Sequence, residues 1–464
     1  MLVSLVVCAC WGEEWDRFRG PNGAGVSTAS GYPSEFGHEK NLRWRTAVRD
    51  GKSSPILTRR HIFLTAADGG KLYTQCFDRT TGKLLWERFV ERSRSEVVNK
   101  LNHEAAITAA TDGTNVYAFF YDYGLVSYSP EGKLRWEVKL GPFSNSMGHA
   151  ACPIVAGGNV VLVIDQMMES YIAAFDQRNG EIRWKTSREE KEGWATPLLY
   201  EPVGGVPVIV TSSRSMMGAH RISDGKRLWT RTNVAPSIVA SPILDKDTVY
   251  TFGYGYDDMS PFEPQLAKYD KNHDGQLSPD EYGTDAYLLG IGRFMGNRDG
   301  IVTKQKWEDR RKISMAPSSL LSIHLGKGAT QEGDGMTLTR EAWRYEKNFV
   351  SVVPSPLLYD GVLYIVRNGG ILTTFDAKTG EVAKAGRVTG AMGAYSSSPV
   401  AAEGKVYLAN EEGKVTVLKA GREWEVAHTN DLGEGVFATP ALAGGHLYIR
   451  TADALYRFGK SPTN

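Results

Sequence analysis

The chain has 464 residues, a formal net charge of +1 and 50 glycines. Length alone would allow about three domains. Near-neutral charge without a dominant basic stretch argues against nucleic acid as the main partner, and no apolar run reaches the ~18 residues of a membrane-spanning helix.

Met1-Leu2-Val3-Ser4-Leu5-Val6-Val7-Cys8-Ala9-Cys10 reads as the apolar core of a signal peptide that lacks a basic start. Residues 1–12 are therefore expected to be removed, placing the mature chain outside the cytoplasm, in the periplasm or secreted. A lipid anchor at Cys10 is the alternative and the one expected link to a membrane. After simple cleavage Cys76 and Cys152 remain, too separate in the repeat to pair, and are expected as buried free thiols.

From Asn41 onward one pattern recurs. A turn glycine is followed four residues later by tryptophan: Gly82…Trp86, Gly132…Trp136, Gly180…Trp184 and Gly225…Trp229, with looser copies ending at Trp44, Trp343 and Trp424. After Gly380 the equivalent residue is Lys384. Each copy opens on a small hydroxyl or thiol residue: Ser54, Thr108, Cys152, Thr196, Ser241, Ser355, Ser398 and Thr439. Strands dense in β-branched and aromatic residues follow, as in Thr248-Val249-Tyr250-Thr251 and His446-Leu447-Tyr448-Ile449. A period of roughly 40–50 residues built from short strands predicts a β-propeller. There are eight first strands, the last copy stops after its third strand at Phe458, and a lone fourth strand, Asn41–Arg45, precedes them all. The expected fold is all-β: an eight-bladed propeller closed by the N-terminal strand, which removes an exposed sheet edge. The tryptophans are expected to pack between blades.

One copy is interrupted. Trp229 and Trp343 are 114 residues apart, against 42 for Trp44 and Trp86. The expected organisation is a propeller over 13–257 and 315–464 with a small α-helical insert at 258–314 in blade five. The insert contains Asp270-Lys271-Asn272-His273-Asp274-Gly275-Gln276-Leu277-Ser278-Pro279-Asp280-Glu281, which fits the EF-hand calcium loop at every defined position. Asp270, Asn272 and Asp274 supply side-chain oxygens at positions 1, 3 and 5. Gln276 offers its carbonyl at 7, Ser278 serves 9, and Glu281 brings both oxygens at 12. A second copy, residues 295–306, keeps Asn297, Asp299, Gly300 and Thr303 but has Met295 at position 1 and Lys306 at 12. It is expected to lack useful calcium affinity and to act as a partner, Val302 pairing with Leu277 and one short helix serving both loops. Ion binding is expected to order an insert with little core of its own.

The Phe-Asp-x-x-Thr-Gly-x-x-x-Trp character and the opening Trp15-Asp16-Arg17-Phe18-Arg19-Gly20-Pro21 resemble the quinoprotein-type (PQQ-like) propeller family. That family includes eight-bladed quinoprotein alcohol dehydrogenases and the propeller lipoprotein of the outer-membrane β-barrel assembly machine. The resemblance implies the fold and leaves two functions open, because function lives in a site rather than in a fold. The first is a non-catalytic scaffold that binds a protein or polymer at a propeller face, as a monomer, with calcium in the insert. The second is a PQQ-dependent oxidoreductase acting on an alcohol or sugar. The dehydrogenase relatives hold their quinone between a Trp and a disulfide of neighbouring cysteines, and this sequence has no adjacent cysteine pair. A small-molecule site is expected at the channel mouth, before the first strands, where Lys52, His103, Glu104, Asn145, His149, Trp194 and Tyr395 fall. His103, Glu104 and His149 could assemble a proton-transfer or metal site, and Trp194 could stack a planar cofactor. The hydroxyl series is expected to be architecture.

Overall fold

The computed structural model of the protein describes residues 13–96, 98–99, 101–145, 147–235, 239–255, 259–295, 299–315, 318–326, 339–346 and 353–460. The leader, Cys8 and Cys10 lie outside them. Among the described residues the strands form eight sheets of four, each an antiparallel meander. The third, for example, runs Ile154–Ala156, Asn159–Ile164, Tyr171–Asp176 and Ile182–Ser187. The inner three strands of a sheet are covered on both faces, whereas the outermost alternates, as in the exposed-exposed-buried-exposed start of Ile182–Ser187. Leu42–Ala47 pairs antiparallel with Ala454–Phe458, with Ala47 opposite Ala454, as the outer strand of the last sheet.

The recurrent Gly and Trp are two halves of one joint. Gly82, Gly132, Gly180, Gly225 and Gly380 all have φ between +73° and +77°. A Cβ on Gly180 would stand 2.7 Å from the Trp136 ring of the preceding blade, and one on Gly380 2.6 Å from that of Trp343. Only glycine accepts both the dihedral and the ring. The indole then donates to the next blade's turn: Trp136 Nε1 to Gln177 O at 3.1 Å, Trp184 to Ile222 O at 2.9 Å and Trp343 to Ala377 O at 3.0 Å. Trp44, Trp229 and Trp424 Nε1 have no hydrogen-bond partner among the described residues, so the ring packing recurs more widely than the bond. Lys384, where blade six lacks its Trp, lays its ammonium 4.4 Å from the Trp424 ring.

Among the described residues four helices lie between the strands Thr248–Gly253 and Ser319–Leu325 of the fifth sheet: α1 Glu263–Tyr269, α2 Pro279–Tyr282, α3 Ala286–Phe294 and α4 Lys304–Met315. Two expectations need correction. The insert has a core of its own, in which Met259, Phe262, Leu277, Tyr282, Leu288, Ile291, Val302 and Trp307 are buried. The segment between the loops is also two helices rather than one, because Gly283 at φ +56° ends α2 and the Asp285 carboxylate caps α3 by accepting the amides of Tyr287 and Leu288. Leu277 and Val302 form a two-bond antiparallel bridge, at 3.0 and 2.8 Å.

Candidate functional site

The first strands line a central channel, and their opening residues bond head to tail around it. Ser54 N donates to Thr108 Oγ1, Thr108 N to Cys152 Sγ, Cys152 N to Thr196 Oγ1 and Thr196 N to Ser241 Oγ. Ser241 N then donates to Ser355 Oγ, Ser355 N to Ser398 Oγ, Ser398 N to Thr439 Oγ1 and Thr439 N back to Ser54 Oγ. The belt closes on itself at 2.9–3.3 Å per bond. It explains the choice of residue: a small side chain with an acceptor must reach the neighbouring blade's amide, which would otherwise be buried without a partner.

The N-terminal segment runs across the channel's far end. Trp15 bridges Leu57 of blade one, Asp16 O accepts from Thr111 N of blade two, and Asn22 bonds Leu199 N and O of blade four. Arg19, fully buried, donates to Pro356 O of blade six at 2.7 Å, and Val26 bridges Ala401 of blade seven. Phe18 is part of the channel lining. Burial drives the Arg19 guanidinium down to about 9. The result is a well with one mouth and a cavity of about 190 Å³.

The mouth brings together two of the residues singled out in the sequence, Lys52 and Trp194, with Leu101, Met147, Tyr254 and Phe437. Lys52 Nζ sits 4.7 Å from the Phe437 ring, and Trp194 Nε1 donates to Gly148 O at 2.9 Å. The other candidates go elsewhere. His103 and Glu104 line a separate polar groove of about 500 Å³ with Asp50, Asp68 and Arg92. There His103 Nδ1 accepts the Ala105 amide and Nε2 lies 3.3 Å from Asp50. Asn145 is buried in a turn, accepting from Met147 N. Tyr395 is buried and donates to Ala391 O at 2.6 Å. His149 is buried in an aromatic stack, 5.7 Å from Tyr121 and edge-on to Phe119 at 5.5 Å. His103, Glu104 and His149 therefore do not form one site. The aromatic mouth residues Tyr254 and Phe437, and the strap carrying Leu101, were missed. Leu101 and Phe437 precede first strands, whereas Tyr254 follows the second strand Thr248–Gly253, so no single position in the repeat flags all three.

Desolvation holds the His149 imidazole down at about 4, from an ordinary 6.5. Between these values the unfolded chain binds a proton that the folded one refuses. Stability from this group is complete above pH 6.5 and is lost as the pH falls toward 4, amounting to ~3 kcal/mol. His149→Phe is expected to reduce, not abolish, the fall of the denaturant midpoint from pH 6.5 to 4, since burial also holds His220 and His446 down; urea unfolding at several pH values checks it.

In the insert, Asp274 Oδ1 accepts Gln276 N at 2.8 Å, Asn272 Oδ1 accepts Asp274 N at 3.0 Å and Asp270 Oδ2 accepts Gly275 N at 3.1 Å. Asp270 Oδ1 is buried with no partner. Glu281 reaches back: Oε2 accepts from Ser278 N at 2.8 Å and Oε1 from Lys271 N at 3.0 Å, holding the carboxyl down at about 2. The fit to a calcium ion is good in donor chemistry, an all-oxygen set with one acceptor oxygen to spare. Among the described residues no group of three or more His, Cys, Asp or Glu is arranged to hold a metal. In this loop three of the six ligand positions are Asn, Gln carbonyl and Ser, and Glu281 is turned to backbone amides.

Eight four-stranded blades joined by tryptophan, closed into a ring around a one-mouthed channel, define a PQQ-like β-propeller. The chain belongs to the family described as outer membrane protein assembly factor BamB, whose model matches residues 37–187, 75–273 and 326–460. No curated protein sequence matches it. Among solved structures it is similar to BamB from Moraxella catarrhalis, at 13% identity and a TM-score of 0.53 over 90% of this chain and 100% of that one. It is also similar to a europium-containing methanol dehydrogenase, at 11% identity and a TM-score of 0.55 over 97% and 98%. A third is the quinohemoprotein alcohol dehydrogenase from Comamonas testosteroni, at 13% identity and a TM-score of 0.55 over 97% and 81%. At these identities the likeness is one of fold.

Proposed function

We propose that the protein is an extracytoplasmic propeller that binds a protein segment at the channel mouth without catalysing a reaction, and that its insert binds one calcium ion through Asp270, Asn272, Asp274, Gln276, Ser278 and Glu281. The observation that carries the binding role is the chemistry of the well. Its wall hydroxyls are engaged in joining blades, while its rim presents apolar side chains, with Leu101 60% and Met147 38% exposed beside Trp194 and Phe437. Exposed apolar groups around a concavity suit an apolar anchor on a partner. A scaffold role also agrees with the family and with the BamB neighbour. The quinone, which carries three carboxylates, fits poorly: of the described residues lining the channel, Lys52 alone is cationic. No reaction step is assigned to it.

A photo-crosslinker at Leu101 is expected to trap a defined protein partner in the cell envelope, with the crosslink lost in Trp194→Ala. A bound chromophore and dye-linked oxidation of alcohols or sugars after loading with quinone and calcium would replace this reading by an enzymatic one. For the insert, calcium at a hundredfold excess over its Kd is expected to stabilise the folded module by about 2.7 kcal/mol. Glu281→Gln is expected to abolish that gain, read as the calcium-dependent shift in thermal unfolding. A wild-type protein indifferent to calcium would sink the assignment.

A further inference from the structure

We propose that the second loop of the insert is a cation site already filled from within, its ion being the ammonium of Lys306. The proposal concerns a site other than the calcium loop, though it borrows that loop's geometry as a ruler. From position 5 to position 8 the two loops correspond. Gly275 and Gly300, both at position 6, have φ of +77° and +83°. Asp274 Oδ1 accepts the amide of Gln276 at 2.8 Å, and Asp299 Oδ1 accepts that of Ile301 at 2.9 Å, so positions 5 and 7 make the same bond in each loop. Leu277 and Val302, at position 8 of each, are bridged to one another.

At position 12 the loops reverse sign. Glu281 brings an anion that calls for a cation. Lys306 brings the cation: its Nζ donates to Asp299 Oδ1 at 2.6 Å and to Ile301 O at 2.8 Å. Those are the position-5 side-chain oxygen and the position-7 carbonyl, two of the oxygens such a loop offers a metal. The side chain is 9% exposed, so the charge is taken from water and answered by these oxygens. A hydrophobic residue at 12 would leave the Asp299 charge and the Ile301 carbonyl facing each other. The ammonium neutralises the Asp299 carboxylate, satisfies the Ile301 carbonyl and ties α4 to the loop, and its tether prevents it from leaving. This accounts for an insert with a packed core and a formed Leu277–Val302 bridge. The second loop would thus hold its shape at any calcium concentration and serve as a fixed platform for the first.

Two variants test this. Lys306→Met keeps the stem and removes the charge. In EDTA, amide exchange across residues 299–307 is expected to become about tenfold faster than in the wild type, the fold-change of a lost charge-assisted bond. Glu281→Gln should leave that segment unchanged in EDTA. The double variant M295D/K306E restores acidic residues at positions 1 and 12. By equilibrium dialysis it is expected to hold one more calcium per chain than the wild type. The readout is that difference, so a wild type with no calcium at all would refute the first loop's assignment and leave this test intact. Wild-type exchange rates in Lys306→Met, or an unchanged calcium count in a folded M295D/K306E protein, would overturn the proposal.

Discussion

A chain shortened to begin at Val48 is expected to lose its native fold. Leu42–Ala47 is the outer strand of the last blade, and without it Ala454–Phe458 becomes an open edge that pairs with other chains. The same cut removes Trp15, Tyr32 and Phe36, each at most 4% exposed. At ~1.5–3 kcal/mol per buried aromatic, that loss alone rivals the ~5–15 kcal/mol that holds a typical protein folded. Size-exclusion chromatography should show aggregates or strand-exchanged oligomers. A shorter cut that removes residues 13–40 but keeps Leu42–Ala47 loses the same three aromatics and should also be destabilised, but with the last sheet complete it should form fewer strand-exchanged oligomers. A stable monomer beginning at Val48 would show that the last blade does not depend on its borrowed strand.

Trp136→Ala should be strongly destabilising, as should the same change at the equivalent Trp86 and Trp184. It removes a buried indole and the bond to Gln177 O, a change of ~3–5 kcal/mol for Trp→Ala in a core. Gly180→Ala attacks the same joint from the other side, through a contact at 2.7 Å and a φ of +77°. The two costs should not add. With the ring gone, the closest contact at residue 180 is relieved, leaving the left-handed backbone term, ~1–2 kcal/mol, and a tight approach to Val138 Cγ2 at 3.2 Å. A double-mutant cycle by urea unfolding should show coupling of ~1–3 kcal/mol. Strict additivity would mean that Trp136 and residue 180 are not partners.

The fold was readable because each blade repeats the same solution. The turn glycine, the tryptophan and the opening Ser or Thr occur at fixed spacing, and each satisfies a joint that recurs around the ring. Closure was readable from a missing fourth strand and a surplus one. The mouth was not readable in the same way. Lys52 and Trp194 precede first strands and reach the channel, but so do His103 and His149, and loop conformation sends one to an outer groove and the other into an aromatic stack. Asn145 and Tyr395 look like site residues in sequence because polar groups near a channel suggest chemistry. In the structure they hold turns together through backbone bonds. Lys306 was legible only as a loss, since a one-letter pattern records the missing carboxylate and not the charge that replaces it. The role of Arg19 and Asn22 beneath the ring left no periodic trace, because that segment occurs once.

The segment from Trp15 to Val26 also limits what can occupy the propeller. A ring open at both ends could be threaded, letting a strand slide through. With the far end stoppered by Phe18 and its neighbours, traffic can only enter and back out. An occupant of the well must therefore present a tip, such as a chain terminus, a tight hairpin or one protruding side chain. Its release would be a withdrawal by the path of entry, with residence time set at the rim rather than by passage along the axis.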